Sequence, residues 1–176
     1  MVKTEFNIEG YPDERYLGIV EKVKPDQATL VPDTPQQLTS NSGWDTVGNH
    51  DFLNSIIGRL KKLKIRVSLF VDPDEQMIEG AAKLYADRIE LYTEPYAVAF
   101  NKNKSMAIQP YIKCSGIAHN LGLGINAGHD LNLNNLAYFK KNLPFLDEVS
   151  IGHALICDSL YLGIENTIQL YLRQLR

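Results

Sequence analysis

The sequence predicts an α/β fold built on parallel strands, and three observations support this prediction. Six short runs of β-forming residues each end in small or polar residues. Every run gives way to a segment with helical spacing or to a polar loop, as in the apolar stripe of residues 52–63. Strands that alternate with helices pair in parallel through right-handed crossovers. Either an open doubly wound sheet or part of a (β/α)8 barrel satisfies this pattern.

The elements follow one another along the whole chain, residues 1–176, which we interpret as a single domain. The polar residues 33–48 form a long loop, and loops of that length usually bind something. Residues 94–111 are interpreted as an insertion with a short helix over the strand ends, a candidate lid. The predicted strands are 4–10, 27–32, 65–71, 88–93, a run around 125, and 149–153; the predicted helices end near 23, 63, 84, 121, 142 and 176.

Composition narrows the function classes. The chain is 44% hydrophobic and 22% charged with a formal net charge of -3, so a nucleic-acid-binding protein, which needs a dense basic face, is disfavoured. No signal peptide and no apolar run of about 18 residues is found, so we expect no membrane partner and a cytoplasmic location. The two cysteines, Cys114 and Cys157, lie far apart and are expected to be free thiols.

Three ionisable residues fall at or near the carboxyl ends of predicted strands. His129 follows the apolar run ending at Gly128, Glu9 ends the first strand, and Glu90 lies between two apolar residues and is expected to point into the barrel. A carboxylate shielded from water has a raised pKa and suits a general base. The alternatives are a loop histidine that satisfies a hydrogen bond, a solvated or helix-capping Glu9, and a structurally paired Glu90.

Other residues suit ligand binding. Gly152 and His153 end a strand where a helix begins, and free N–H groups there attract an anion, so we predict a phosphate site; the alternative is a glycine needed only for the turn. Thr39 lies in a polar loop that can hydrogen-bond a ligand or simply be solvated. No cluster has metal-ligand spacing, and no Gly-x-Gly-x-x-Gly or Gly-Lys-Ser/Thr phosphate loop is found.

The chain resembles the pyridoxine 5'-phosphate synthase family, the ring-closing enzymes of the deoxyxylulose-dependent vitamin B6 pathway. The resemblance extends from about Thr4 to Leu175. It rests on the motifs Phe6-Asn-Ile-Glu9, Leu30-Val-Pro32, Gln37-Leu-Thr39 with Gly43, Arg66-Val-Ser-Leu-Phe70, Ile89-Glu-Leu-Tyr-Thr93, Asn126-Ala-Gly-His129 and Ile151-Gly-His153. It implies a (β/α)8 barrel with extra helices after the sixth and eighth strands, assembled as a homo-oligomer, a dimer or an octamer.

The resemblance also implies a reaction and residue roles. The family joins 1-deoxy-D-xylulose 5-phosphate to 3-amino-2-oxopropyl phosphate and releases phosphate and water, with no metal or redox cofactor. Glu9 is then the proton acceptor, His129 the proton donor, and Thr39 a contact of the deoxyxylulose phosphate. Asp130, together with Gly152 and His153, holds the aminooxopropyl phosphate.

The sequence departs from the family at its beginning and near the fourth strand. It starts at what would be the third strand, so we expect the first two βα units to be missing and the chain to be inactive alone. Tyr92 stands where His is frequent, and Glu94 where Gly is frequent. The alternative functions are a non-catalytic phosphosugar-binding or assembly module on the same barrel, and a different phosphate-using barrel enzyme. Schiff-base aldolases are disfavoured because no lysine occupies a strand end.

Overall fold

The computed structural model describes residues 2–33 and 40–176, and all six predicted strands are present in this part of the chain. They pair in parallel in the order β1-β2-β3-β4-β5-β6, as an α/β sheet that forms part of a (β/α) barrel. The elements are β1 Asn7–Gly10, α1 Glu14–Val23, β2 Gln27–Leu30, α2 His50–Lys62, β3 Arg66–Val71, α3 Glu75–Lys83, β4 Arg88–Tyr92, α4 Glu94–Ala107, α5 Gln109–Asn120, β5 Gly124–Gly128, α6 Leu136–Asn142, β6 Leu146–Ser150, α7 His153–Leu162 and α8 Ile164–Gln174. A second helix follows β4 and another follows β6, which correspond to the sixth and eighth strands of the full barrel, as the resemblance predicts.

Two of the helices, α1 and α3, begin where an aspartate side chain accepts from free N–H groups of the first turn. Asp13 accepts a hydrogen bond from the Tyr16 N–H at 2.7 Å and so caps α1. Asp74 accepts from the N–H groups of Gln76 and Met77 and caps α3. The predicted apolar stripe of α2 is buried against the sheet through Leu53, Ile56, Ile57 and Leu60. Because all neighbouring strands pair in parallel, their carboxyl ends and the loops that follow them lie at one edge of the sheet.

The sheet is strongly curled, and its inner face is polar near the amino ends of the strands. Arg66 on β3 lies 3.4 Å from Glu148 on β6, although two strands separate them in the sheet. Arg88 on β4 lies 2.7 Å from the Asn126 side-chain oxygen and 3.2 Å from Glu148. Because these side chains meet across the concave face, residues of alternate strand positions point into the same interior.

The connection between β2 and α2 is a long loop, as predicted, and its second half is attached to β3. The Gly43 N–H donates to the Asp72 carboxylate at 3.1 Å, and the Trp44 N–H donates to the Phe70 carbonyl at 2.8 Å. The Trp44 indole N–H also donates to the Leu30 carbonyl at 3.0 Å. A Cβ on Gly43 would lie 2.3 Å from the Asp72 nitrogen, so only glycine permits this approach.

The sixth strand and the segment after β4 differ from the prediction. The sixth strand is Leu146–Ser150, three residues earlier than expected, because Glu148 is held inside the sheet by Arg66 and Arg88. The segment after β4 is not an insertion with one short helix: it is helical over α4, with a kink at Asn103 (φ -159°, ψ 89°), and α5 follows closely. Tyr96 anchors α4, since its ring is buried and its hydroxyl donates to the Asn135 carbonyl at 2.8 Å.

Candidate active site

A cavity of about 420 Å³ lies at the carboxyl ends of the strands. It brings together six of the residues singled out from the sequence, which come from four different strands and the segments that follow them. Its lining comprises Asn7, Glu9, Phe70, Glu90, His129, Asp130, Leu131, Ser150, Ile151, Gly152, His153 and Ala154. The seventh predicted residue, Thr39, lies outside the residues that the structure describes.

Glu9 lies at the end of β1, an edge strand among the described residues, and remains exposed along that edge. Its carboxyl group nevertheless lines the cavity, and desolvation raises its pKa above the usual glutamate range. The charge of His129 opposes this shift, and the carboxylate of Asp33 adds to it. Glu9 and His129 line the same cavity.

Glu90 projects from β4 into the interior and is only 2% exposed. Burial raises its pKa well above the usual range, and the neighbouring Glu9 raises it further, while a hydrogen bond with Ser150 acts in the opposite direction. Its Oε2 atom has no hydrogen-bond partner among the described residues. Of the two carboxyl groups, Glu90 therefore keeps its proton to the higher pH, and Glu9 ionises first.

Gly128 makes room for the Glu90 side chain. The two residues lie on the neighbouring strands β5 and β4. A Cβ on Gly128 would lie 2.1 Å from the Glu90 Oε1 atom and 3.1 Å from the Ser150 Cβ. A side chain at the end of β5 would therefore force the buried Glu90 carboxylate out of its present position.

His129 follows β5 directly, and aromatic rings surround its imidazole. The ring of Tyr92 lies edge-on at a centroid distance of 5.2 Å, and that of Phe70 lies 6.3 Å away. The imidazole Nδ1 lies 3.5 Å from the carboxylate of Asp130. Both His129 and Asp130 have positive φ, at 86° and 56°. Non-glycine residues rarely adopt this conformation, which costs of order 1–3 kcal/mol each and is characteristic of functional sites.

Tyr92 links the imidazole to the loop after β2. Its hydroxyl lies 3.1 Å from the Ser40 carbonyl and 3.1 Å from the Glu94 carboxylate, both of which are acceptors. Burial, followed by the hydrogen bond to Glu94, raises the pKa of Tyr92 to about 12. The phenol therefore stays protonated at neutral pH, and its single proton is donated either to the Ser40 carbonyl or to the Glu94 carboxylate.

Gly152 and His153 lie where β6 gives way to a helix. His153 is the first residue of α7, Gly152 is its N-cap, and no side chain caps this helix end. Both residues border the cavity, together with Ala154 in the first turn. Uncapped N–H groups and the positive end of the helix dipole suit a phosphate at this wall.

Within residues 2–33 and 40–176, no group of three or more His, Cys, Asp or Glu side chains has the geometry to hold a metal ion. What the arrangement offers is two carboxyl groups of different proton affinity, an imidazole and an anion-attracting helix end. These groups suit proton transfers on a phosphorylated substrate.

The family model described as pyridoxal phosphate biosynthesis protein PdxJ matches residues 1–176. The chain belongs to this family. A pyridoxine 5'-phosphate synthase from Cytophaga hutchinsonii is 64% identical over 176 residues, which are 100% of this chain and 74% of that protein. The synthase from Porphyromonas gingivalis is 59% identical, over 98% of this chain and 72% of the relative. The resemblance predicted from the motifs is thereby confirmed.

Solved structures outside the PdxJ family share the fold. The Amycolatopsis orientalis BexX/CysO complex matches 92% of this chain and 60% of the other chain with a TM-score of 0.59 at 13% identity. A Thermotoga maritima phosphoribosylanthranilate isomerase monomer matches 99% of this chain and 73% of its own with a TM-score of 0.57 at 11% identity. Identities this low show the fold alone, and they agree with the barrel prediction.

Several residues of this PdxJ site were not singled out from the sequence. Asn7 precedes Glu9 by two positions and so shares its face, a period-2 signal that was available. Ser150 was missed because the sixth strand was placed three residues too late. Phe70 reads as an ordinary apolar residue, and only the fold shows that its ring faces His129.

Proposed function

We propose that this chain carries the active site of a pyridoxine 5'-phosphate synthase and joins 1-deoxy-D-xylulose 5-phosphate to 3-amino-2-oxopropyl phosphate, with release of phosphate and water. One observation carries the proposal: Glu9, His129 and the uncapped start of α7 border a single cavity. Its volume of about 420 Å³ suits small phosphorylated substrates. Membership of the PdxJ family supports the same reaction.

In this proposal Glu9 is the proton acceptor and His129 the proton donor. Imine formation, dehydration, phosphate loss and ring closure are mainly proton transfers at carbons held in place, so neither a metal nor a redox cofactor is needed. The raised pKa of Glu9 makes its carboxylate a stronger base than an ordinary glutamate. Glu90, which keeps its proton to higher pH, is an additional polar group that donates to substrate oxygen.

The binding roles follow the chemistry of the cavity wall. Gly152 and His153 hold the phosphate of 3-amino-2-oxopropyl phosphate through the N–H groups at the start of α7. The exposed carboxylate of Asp130 accepts a hydrogen bond from the amino group of the same substrate. Thr39 contacts the deoxyxylulose phosphate, a role that lies outside the described residues.

A turnover assay tests the proposal. The purified chain is incubated with both phosphorylated substrates, with and without the N-terminal βα units of the Cytophaga hutchinsonii relative, and pyridoxine 5'-phosphate is measured by chromatography. We expect product in the complemented mixture and its loss in Glu9→Gln and His129→Asn. Glu79→Gln, on an exposed position of α3, is the control. Binding of both substrates by calorimetry without turnover in the complemented mixture would favour a non-catalytic module instead.

Assembly and location are further parts of the proposal. We propose a homo-oligomer, a dimer or an octamer, because α7 exposes the apolar residues Ile156, Leu160 and Tyr161 at 57%, 81% and 90%. Light scattering of the purified protein measures its mass, and a monomer at all concentrations would contradict this part.

Cys114 and Cys157 are free, which suits a cytoplasmic location. Among residues 2–33 and 40–176, none of the helices has the length and hydrophobicity of a membrane-spanning segment.

A further inference from the structure

The backbone at the end of β5 is held in an unfavourable conformation at the residue that matters most for the proposed reaction. His129 and Asp130 both have positive φ, and neither is a glycine. Such conformations persist only where the surrounding structure determines them. The groups that hold this dipeptide therefore decide where the imidazole of His129 lies.

Thr93 is the residue that holds the carbonyl groups of this turn. It is fully buried, and its hydroxyl donates to the carbonyl of Gly128 at 2.8 Å or to that of His129. The Thr93 backbone N–H also donates to the Gly128 carbonyl, at 3.0 Å. A hydroxyl has one proton. Because the backbone already supplies a bond to Gly128, the distinct contribution of the hydroxyl is its bond to the carbonyl of His129.

The position of Thr93 in the fold makes this use of its hydroxyl unusual. Thr93 is the N-cap residue of α4, and its carbonyl accepts the N–H of Ala97 at 3.0 Å. At this position a threonine side chain ordinarily accepts from an N–H of the first helical turn. No such bond forms in this case. The side chain leaves its own helix uncapped and turns instead toward the neighbouring strand end.

The far side of the same turn is held by α6 and the residues before it. The Asn135 side chain donates to the Asp130 carbonyl at 3.2 Å, and Asn132 donates to the same oxygen at 3.3 Å. The Asn135 carbonyl in turn accepts from the buried Tyr96 hydroxyl at 2.8 Å. The dipeptide is thus fixed at both ends, and Thr93 is the side chain that acts on the histidine itself.

We propose that Thr93 is a positioning residue for His129: its hydroxyl holds the histidine carbonyl, and so keeps the backbone in the left-handed region that aims the imidazole into the cavity. The inference rests on the proposed role of His129 as proton donor only for its catalytic consequence. The placement of the imidazole is a separate, directly measurable property.

The test uses the full chain and needs no turnover. The protein is labelled with nitrogen-15, and the ring signals of His129 are recorded by long-range proton–nitrogen correlation; the chain has 4 histidines, and His129→Asn identifies the signal. Thr93→Val removes the hydroxyl and keeps the shape, whereas Thr93→Ser keeps the hydroxyl. Thr167→Val is the matched control. Thr167, on α8, is also fully buried, and its hydroxyl donates to the Gly163 carbonyl at 3.0 Å.

We expect Thr93→Val to shift the His129 ring signals and the backbone amide signals of residues 129 and 130, and Thr93→Ser and Thr167→Val to leave them in place. If Thr93→Val does not fold, Thr93→Ala removes the same hydroxyl without the branched methyl groups. Unchanged ring signals in the hydroxyl-free variants, or equal shifts in Thr93→Ser, would overturn the proposal.

The catalytic consequence is measured separately in the complemented assay. A small misplacement of a catalytic group costs on the order of 10²-fold in rate. We therefore expect Thr93→Val to lower kcat by about that factor and Thr93→Ser to restore it. Moved ring signals with unchanged kcat would uphold the positioning role and contradict the proposed role of His129, so the two failures are distinguishable.

Discussion

Replacing Glu90 with glutamine is expected to change how the stability of this protein depends on pH. Glu90 is 2% exposed, and burial first, then the nearby Glu9, raises its pKa well above the glutamate range. In the unfolded chain the same group has an ordinary pKa. At a pH between the pKa of Glu90 in the unfolded chain and its raised pKa in the folded chain, folding therefore takes up one proton at Glu90. Glu90→Gln removes this uptake while keeping the shape of the side chain.

The size of the effect follows from that single proton. Below the ordinary glutamate pKa, Glu90 is protonated in both states, and the free energies of unfolding of wild type and Glu90→Gln differ by a constant. As pH rises toward the raised pKa, the wild type loses about 1.4 kcal/mol per pH unit relative to the variant. Above the raised pKa the difference is constant again. The glutamine variant therefore becomes relatively more stable as pH increases.

Urea unfolding at a series of pH values measures this difference. The single tryptophan, Trp44, is 5% exposed, so its fluorescence reports the loss of the folded state. Glu79→Gln, on an exposed position of α3, controls for the loss of one negative charge. A Glu90→Gln difference that does not vary with pH, or one that the control reproduces, would refute the reasoning that Glu90 folds in its protonated form.

Three further predictions concern the same site. Glu9→Gln should lower kcat in the complemented assay by roughly 10²–10⁴-fold. Because the pKa of Glu9 is raised and the base acts in its ionised form, wild-type kcat/KM should begin to fall, as the pH is lowered, while the pH is still above the usual glutamate range. A fall that begins only at lower pH would contradict this. Gly128→Ala should lower the free energy of unfolding in urea by about 1–3 kcal/mol, because its Cβ would lie 2.1 Å from a buried carboxylate oxygen. Gly116→Ala, which has open space around its Cβ, should leave the free energy of unfolding unchanged. Tyr92→Phe should lower the free energy of unfolding in urea by about 0.5–1.5 kcal/mol through loss of the hydroxyl's hydrogen bond to the Ser40 carbonyl or to the Glu94 carboxylate. A variant as stable as wild type would show that neither bond contributes to stability in solution.

The sequence predicts the position of a residue well when the residues that it contacts lie nearby in the chain, and poorly when they lie on distant strands. Glu9, Glu90 and His129 were singled out because they lie in or directly after predicted strands, and parallel strands bring their carboxyl ends to one edge. The start of β6 was missed because Asp147 and Glu148 look like loop residues. Glu148 belongs in the strand only because arginines of β3 and β4 reach it across the interior, and no local pattern records partners so distant in sequence.

The helix α4 was underestimated for a related reason. Its residues near 101–105 are rich in Asn and Lys, which favour a loop, and the backbone does leave the helical region at Asn103, but the residues on both sides of this kink are helical. The helix is held instead by Tyr96, which packs edge-on against Phe139 at a centroid distance of 4.9 Å and bonds to Asn135. Likewise, the left-handed backbone of His129 depends on Thr93, from another strand end. Tertiary contacts override local preference in both cases.

The different proton affinities of Glu9 and Glu90 follow from the positions of their strands in the sheet. Glu90 lies on β4, which has paired strands on both sides, so its carboxyl group is desolvated from every direction. Glu9 lies on β1, which pairs only with β2 in the described part of the chain and leaves the residue exposed. A strand or partner that covered this edge would remove water from Glu9 and raise its pKa further. Because Glu9 is the proposed base, the acidic limb of the kcat/KM profile reports how well the edge of β1 is covered.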